Sequence, residues 1–120
     1  DPYILIFGGR KSNVILKECF LFNIKEEFWV EKKTTNSSRL FGMKSFYLEE
    51  ENSIYITGGH NRDGIINQMF KLDLSTWEWE SLTIREELPR KTEFALNRIS
   101  RTVFLIGGIS LSIFCYFIFR

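Results

Sequence analysis

The hydrophobic residues of this chain come in short unbroken runs, and three of these runs end in a pair of glycines. The runs are YILIF, SIYIT and TVFLI. The glycine pairs, which follow one another at intervals of 50 and 49 residues, are Gly8-Gly9, Gly58-Gly59 and Gly107-Gly108. A pattern that returns at a fixed period of this length predicts a repeat architecture.

Aromatic residues return with the same period as the glycines. Phe20 and Phe70 each lie 11 residues beyond the second glycine of their pair. Trp29 and Trp79 each lie 20 residues beyond it. Between these points the segment FLFNIKEEFW aligns with FKLDLSTWEW without a gap. Chance does not readily produce paired aromatics at identical offsets, so the repeat is real.

Each period predicts four short strands, because its apolar residues are spaced by one or two positions and not by the 3.6 of a helix. In the complete period the strands are predicted at 43–49, 53–58, 66–74 and 77–82, with a turn over 50–52. The second strand is almost wholly apolar, which predicts that both of its faces are covered. The fourth alternates Trp with Glu, which predicts an outer strand with one exposed face.

The glycine pairs have a predicted structural role. Glycine lets a strand turn sharply, or lets another backbone pass close by, because it has no Cβ atom. A phosphate-binding loop is excluded, since neither Gly-x-x-x-x-Gly-Lys nor Gly-x-Gly-x-x-Gly occurs and no helix is predicted to follow.

The period, the glycine pair, the spaced aromatic and the tryptophan together resemble the kelch repeat, whose units are four-stranded blades of a β-propeller. The resemblance covers Tyr3 to about Gly108. It implies an all-β fold of antiparallel four-stranded blades that form part of a propeller. Its structural motif residues are Gly8, Gly9, Phe20, Trp29, Gly58, Gly59, Phe70, Trp79, Gly107 and Gly108. Phe20 and Phe70 stand where the family usually has tyrosine.

The resemblance also implies how the chain is divided. Kelch repeats are expected over 1–108, as a partial blade at 1–33, a full blade at about 40–83 and the start of another at about 90–108. The apolar tail 109–120 is expected to be either a strand or an aberrant terminus. Because a propeller closes with about 4–8 blades, the remaining blades are expected in the same polypeptide or from self-association.

Similarity to kelch proteins implies that a protein partner docks on the loops at one face, among them the loop after each glycine pair. Carried over to this sequence, the candidate partner-binding residues are Arg10, Lys11, Ser12, Asn13, His60, Asn61, Arg62 and Asp63. Rigid scaffolds often carry their binding residues on such loops. The alternative for any one of these residues is a plain solvated turn.

Charge and hydropathy argue against two other classes of partner. The formal net charge is +1, so no global field would attract nucleic acid. Residues 102–119 contain no charged side chain and are long enough for a membrane helix. The repeat, however, assigns Val103–Ile106 to a strand, so a membrane is not the expected partner.

Catalytic chemistry has little basis in this sequence. His60 is the single histidine, and Cys19 and Cys115 match no metal or redox spacing. We therefore expect no catalytic residue, no metal and no cofactor, and a reducing setting, the cytoplasm or alternatively the nucleus.

The predicted function is a kelch-type protein–protein interaction module, acting as a scaffold or as a substrate receptor such as a ubiquitin ligase adaptor. Two alternatives stay open. One is a piece of an enzymatic kelch propeller of the metal-dependent oxidase or specifier type. The other is a truncated fragment without independent function.

Overall fold

The apolar runs of the sequence form strands of antiparallel sheets in the computed structural model, which describes residues 3–82, 95–99, 102–106 and 116–117. The first unit contains β1 (Tyr3–Phe7), β2 (Arg10–Lys11), β3 (Val14–Ile15), β4 (Cys19–Asn23) and β5 (Phe28–Lys32). The second contains β6 (Lys44–Leu48), β7 (Ser53–Thr57), β8 (His60–Asn61), β9 (Gly64–Ile65), β10 (Met69–Asp73) and β11 (Glu78–Leu82). The third contains β12 (Ala95–Ile99), β13 (Thr102–Ile106) and β14 (Tyr116–Phe117).

The second unit is a four-stranded antiparallel sheet in the order β6-β7-β10-β11. The first and third units have the orders β1-β4-β5 and β12-β13-β14. A single 3-10 turn at Glu49–Glu51 is the one helical element in the part of the chain that the structure describes. These antiparallel, almost helix-free sheets confirm the predicted all-β fold class and are consistent with a partial propeller.

The strand register repeats from the first unit to the second. In the first unit Phe22 pairs with Trp29, and in the second Leu72 pairs with Trp79. The turns that follow β4 and β10 repeat as well. The Oδ1 atom of Asn23 accepts the N–H groups of residues 25 and 26, both at 3.0 Å, and Oδ1 of Asp73 accepts that of residue 75 at 2.7 Å. The two units therefore share one backbone plan at an offset of 50 residues.

The four glycines of the first two pairs all have positive φ, and two of them lie under another backbone segment. A Cβ atom at Gly8 would come within 2.5 Å of the Leu40 carbonyl oxygen. One at Gly59 would come within 2.6 Å of the Phe41 carbonyl oxygen. Gly8 and Gly59 therefore allow the backbone at Leu40 and Phe41 to approach closely, and a side chain at either glycine would displace it. Gly107 and Gly108 lie outside the described residues.

The hydrophobic core lies between the first two sheets. Its buried residues are Leu40, Ile56, Ile66, Phe70, Leu72 and Trp79. Leu5 and Phe7, on β1 of the preceding unit, pack against this cluster. In β7 four of the five residues are buried, as expected for a strand with both faces covered, whereas the outer strand β11 buries Trp79 between two exposed glutamates.

The corresponding face of the first unit is open. Trp79 and Phe70 are 3% and 7% exposed, but their counterparts Trp29 and Phe20 are 56% and 36% exposed. Ile6 is 47% exposed, whereas its counterpart Ile56 is 4% exposed. We call Ile6, Phe20 and Trp29 the open face. Two of the predicted motif residues, Phe20 and Trp29, are thus not in a core within the described chain.

The third unit is described only in its strands. Within it β12 pairs with β13, and Phe104 and Leu105 of β13 pair with Phe117 and Tyr116. Val103–Ile106 is therefore strand, and two residues of the apolar tail extend the same sheet. The rest of that tail and Cys115 lie outside the described residues. Among those described, no helix is long and apolar enough to cross a membrane.

Candidate partner-binding face

Two small hairpins, one in each of the first two units, carry the candidate residues. Strands β2 and β3 pair around a turn at 12–13, and β8 and β9 pair around a turn at 62–63. Each hairpin is closed by the same backbone bond. The N–H of Leu16 donates to the Gly9 carbonyl at 2.8 Å, and that of Ile66 donates to the Gly59 carbonyl at 2.9 Å. The sequence predicted polar loops here, so the hairpin pairing is an addition to that prediction.

Residues 33–43 connect the first unit to the second, and this connecting segment bonds to both hairpins near its end. Leu40 accepts the N–H of Gly9 at 2.8 Å and donates its own N–H to the Leu16 carbonyl at 3.2 Å. The next residue, Phe41, exchanges backbone hydrogen bonds with His60 at 3.1 and 2.8 Å. One short segment therefore bonds the first hairpin through Leu40 and the second through Phe41.

Phe41 brings together two candidate residues from different units. Its ring lies parallel to the imidazole of His60, with centroids 4.8 Å apart and an interplanar angle of 8°. The guanidinium carbon of Arg10 lies 4.9 Å from the centroid of the same phenyl ring, within the range of a cation–π contact. The Nδ1 atom of His60 is buried and has no hydrogen-bond partner among the described residues.

A groove of about 650 Å³ lies between the two hairpins and beside the connecting segment. Three of the eight candidate residues, Asn13, Asn61 and Arg62, line it. Arg39 and Gln68, which were not candidates, line it as well. Its apolar wall includes Val14, Ile15, Leu40 and Ile66. The structure therefore gathers part of the predicted set into one concave surface and adds the connecting segment to it.

The other candidates lie around the groove. Arg10, Lys11, Ser12 and Asp63 are exposed on the hairpins, and His60 is half-buried against Phe41. Ser12 has a φ of 52°, which matches its place in a tight turn. The N–H of Asp63 donates to Oδ1 of Asn61 at 2.8 Å, so this pair also shapes the second turn.

Arg39 is held in place by the first hairpin. Its Nη1 atom donates to the Ile15 carbonyl at 2.9 Å. Glu18 lies nearby, and its pKa is lowered by hydrogen bonds from its own backbone N–H and from that of Lys17, with a smaller contribution from the charge of Arg39. No sequence pattern indicated Arg39, because its position depends on where the connecting segment crosses the hairpins.

Groups that could support catalysis are dispersed. Among the described residues no three His, Cys, Asp or Glu side chains lie close enough to hold a metal ion. Cys19 is a buried free thiol, and its burial raises its pKa to about 11. Such a thiol is protonated at neutral pH and is therefore a poor nucleophile.

The geometry and the repeat agree with the comparisons with known proteins. Residues 1–117 match the family described as the KLHDC2/KLHL20/DRC7 Kelch-repeats domain. The chain belongs to the kelch-repeat family. It is 28% identical over 109 residues to Kelch-like protein 41b of Danio rerio, a match that covers 88% of the chain and 17% of that relative. The chain therefore spans less than a fifth of the length of the curated relative.

Membership of the kelch family bears on the role of the side chains on this face. Kelch-repeat domains generally mediate protein–protein interactions. In the kelch units described here, glycines and backbone hydrogen bonds fix the hairpins, with one side-chain bond at Asn61 in the second turn. Which of those side chains contact a partner stays a prediction.

Proposed function

We propose that this chain is a kelch module that captures a protein partner on the face formed by the two hairpins and the segment 33–43. The observation that supports it is the position of that segment, which bonds to both hairpins and joins them into one surface. The groove that results is concave and has both polar and apolar walls. Grooves are among the recurring surfaces on which peptide segments dock.

The charged side chains of this face favour a role in recognition over a role in folding. Arg10, Lys11 and Arg62 make no ion pair with another described residue. The guanidinium of Arg10 lies against the face of the Phe41 ring. Such a contact leaves its N–H donors to an incoming ligand. Charge-assisted hydrogen bonds to such groups are stronger than neutral ones.

The proposed role is that of a substrate receptor or scaffold in the cytoplasm or nucleus. A reducing compartment is proposed because the chain has two cysteines, too few for the disulfide framework of a small secreted domain. The hydrogen-bonded hairpins with exposed polar side chains support a role as a receptor or scaffold.

The test is capture of protein partners by the full chain and by two triple variants. In the first, His60, Arg62 and Asp63 are changed to alanine. In the second, the matched control, Lys25, Glu26 and Thr76 are changed to alanine. These three lie in the exposed turns at the opposite ends of β4 and β10.

The first variant is expected to keep the melting temperature within a few degrees, because the side chains of His60 and Arg62 make no hydrogen bond to another described residue and Asp63 contributes only its backbone N–H. It is expected to lose specific partners in quantitative affinity capture, whereas the control keeps them. Equal capture by the two variants would show that the hairpin is only a solvated turn.

A further inference from the structure

The face around the groove carries more basic than acidic residues. The parts of the chain that surround the groove are the two hairpin regions, 8–18 and 58–68, and the end of the connecting segment, 38–43. Their basic residues are Arg10, Lys11, Lys17, Arg39 and Arg62, and their acidic residues are Glu18 and Asp63. Neither acidic residue lines the groove, whereas Arg39 and Arg62 both do. Since the whole chain has a net charge of only +1, this positive character is local.

The two groove arginines retain hydrogen-bond donors for a ligand. Arg39 uses Nη1 for the Ile15 carbonyl, and a guanidinium carries five N–H donors in all. Arg62 is exposed and forms no ion pair with another described residue. Paired carboxylate oxygens fit such a planar fork with two parallel hydrogen bonds, a geometry that a single point charge does not offer.

The amide side chains beside the arginines extend the same preference. Asn61 accepts the Asp63 N–H on Oδ1, so its amino group is the part left to donate. Asn13 and Gln68 line the groove on either side. A ligand rich in acceptor oxygens would therefore meet donors along the polar wall, while Leu40 and Ile66 offer apolar surface to the remainder of the ligand.

We propose that this groove binds an acidic peptide segment, with aspartate or glutamate carboxylates on Arg62 and Arg39. This inference rests on the proposed function and specifies the chemistry of the partner. A peptide fits better than nucleic acid for two reasons. The net charge of the whole chain is only +1, which would attract a polyanion weakly. No aromatic ring lines the groove except Phe70, which is 7% exposed and so offers no stacking platform.

The experiment measures binding of fluorescein-labelled peptides to the full chain by fluorescence anisotropy at low salt. One probe carries adjacent glutamates in a glycine–serine background, and the matched probe carries glutamines at the same positions. Arg62→Gln removes the proposed contact. Lys25→Gln is the control, because it removes the same charge from an exposed turn at the other end of the blade.

We expect the glutamate probe to bind at least about tenfold more tightly than the glutamine probe, as one charge-assisted pair would give. Arg62→Gln is expected to reduce that preference several-fold, with Arg39 retaining the remainder, and Lys25→Gln to preserve it. Arg62→Lys should recover part of the affinity, since it restores charge without the fork. Added salt should weaken binding of the glutamate probe.

Three results would overturn the inference. The first is equal affinity for the two probes, and the second is a preference that Arg62→Gln leaves unchanged. The third is tighter, Arg62-dependent binding of a single-stranded oligonucleotide of equal charge, which would indicate nucleic acid instead. If any of these occurs while the hairpin variant still loses protein capture, the proposed function stands and only the acidic chemistry is wrong.

Discussion

The indole ring of Trp79 packs against the phenyl ring of Phe7 in the preceding blade, with centroids 4.5 Å apart and planes tilted by 41°. Trp79 therefore stabilises two blades at once, because it fills the core of its own sheet and contacts the neighbouring one. Its counterpart Trp29 contacts Phe22 within its own blade and is otherwise exposed. The same motif position is therefore buried between two blades in the second unit and exposed in the first.

Trp79→Ala is expected to lower the free energy of unfolding of the chain by about 3–5 kcal/mol, the usual cost of deleting a buried aromatic side chain. Trp29→Ala, at the equivalent and exposed position, should cost less than about 1 kcal/mol. Urea denaturation followed by far-UV circular dichroism would measure both values. Equal costs for the two substitutions would contradict the packing described here.

Gly59→Ala tests the close approach of the connecting segment to the glycine pair. Both Gly59 and Gly9 have positive φ, so alanine at either position should cost about 1–2 kcal/mol in backbone strain. At Gly59 the new Cβ would also meet the Phe41 carbonyl oxygen, whereas at Gly9 it would meet nothing within 4 Å. Gly59→Ala should therefore lose about 1–3 kcal/mol more than Gly9→Ala. The difference between their thermal melts measures this effect, and similar melts would argue against it.

A second polar cluster predicts a pH dependence of stability. Hydrogen bonds from the Tyr55 hydroxyl and then from Lys71, whose Nζ lies 3.0 Å from the Glu51 carboxylate, lower the pKa of Glu51. A lowered folded-state pKa contributes stability above the unfolded-state pKa, and this contribution is lost as the pH falls through the folded-state value.

The chain should therefore lose more stability on acidification than its Glu51→Gln variant does. The difference should stay below about 1 kcal/mol, because the site is partly exposed. Glu49→Gln, which removes an equal charge from the same turn, should behave like the unmodified chain. Melting temperatures at neutral and acidic pH would show this, and parallel losses in all three proteins would refute it.

The open face predicts self-association of the chain studied alone. Ile6 and Phe20 are paired across β1 and β4, and both are exposed on this face. Lysine at both positions should reduce association, whereas Ile24→Lys, at an exposed apolar residue outside the open face and the groove, should not. Size-exclusion chromatography over a range of concentrations is the measurement. A monomer at all concentrations would show that the open face does not drive self-association.

The strands were predictable because apolar runs, alternation and glycine pairs are local signals. The conformation of the glycines was predictable for the same reason. The small hairpins were missed, since strands of two residues leave no periodic pattern. The groove was only partly predicted, because Arg39 and Leu40 reach it through the path of the connecting segment, which is a tertiary property. The exposure of Trp29 was also beyond local reasoning, since it depends on what lies against the blade.

The two hairpins have the same backbone pairing and different side chains, and the connecting segment 33–43 holds them side by side. A partner long enough to touch both would make its second contact within one complex, at a high effective concentration. A partner that touches only one would gain none of that advantage. The distance between the two hairpins would then select ligands by length. The residence time of a ligand would depend on its length as well as on its chemistry.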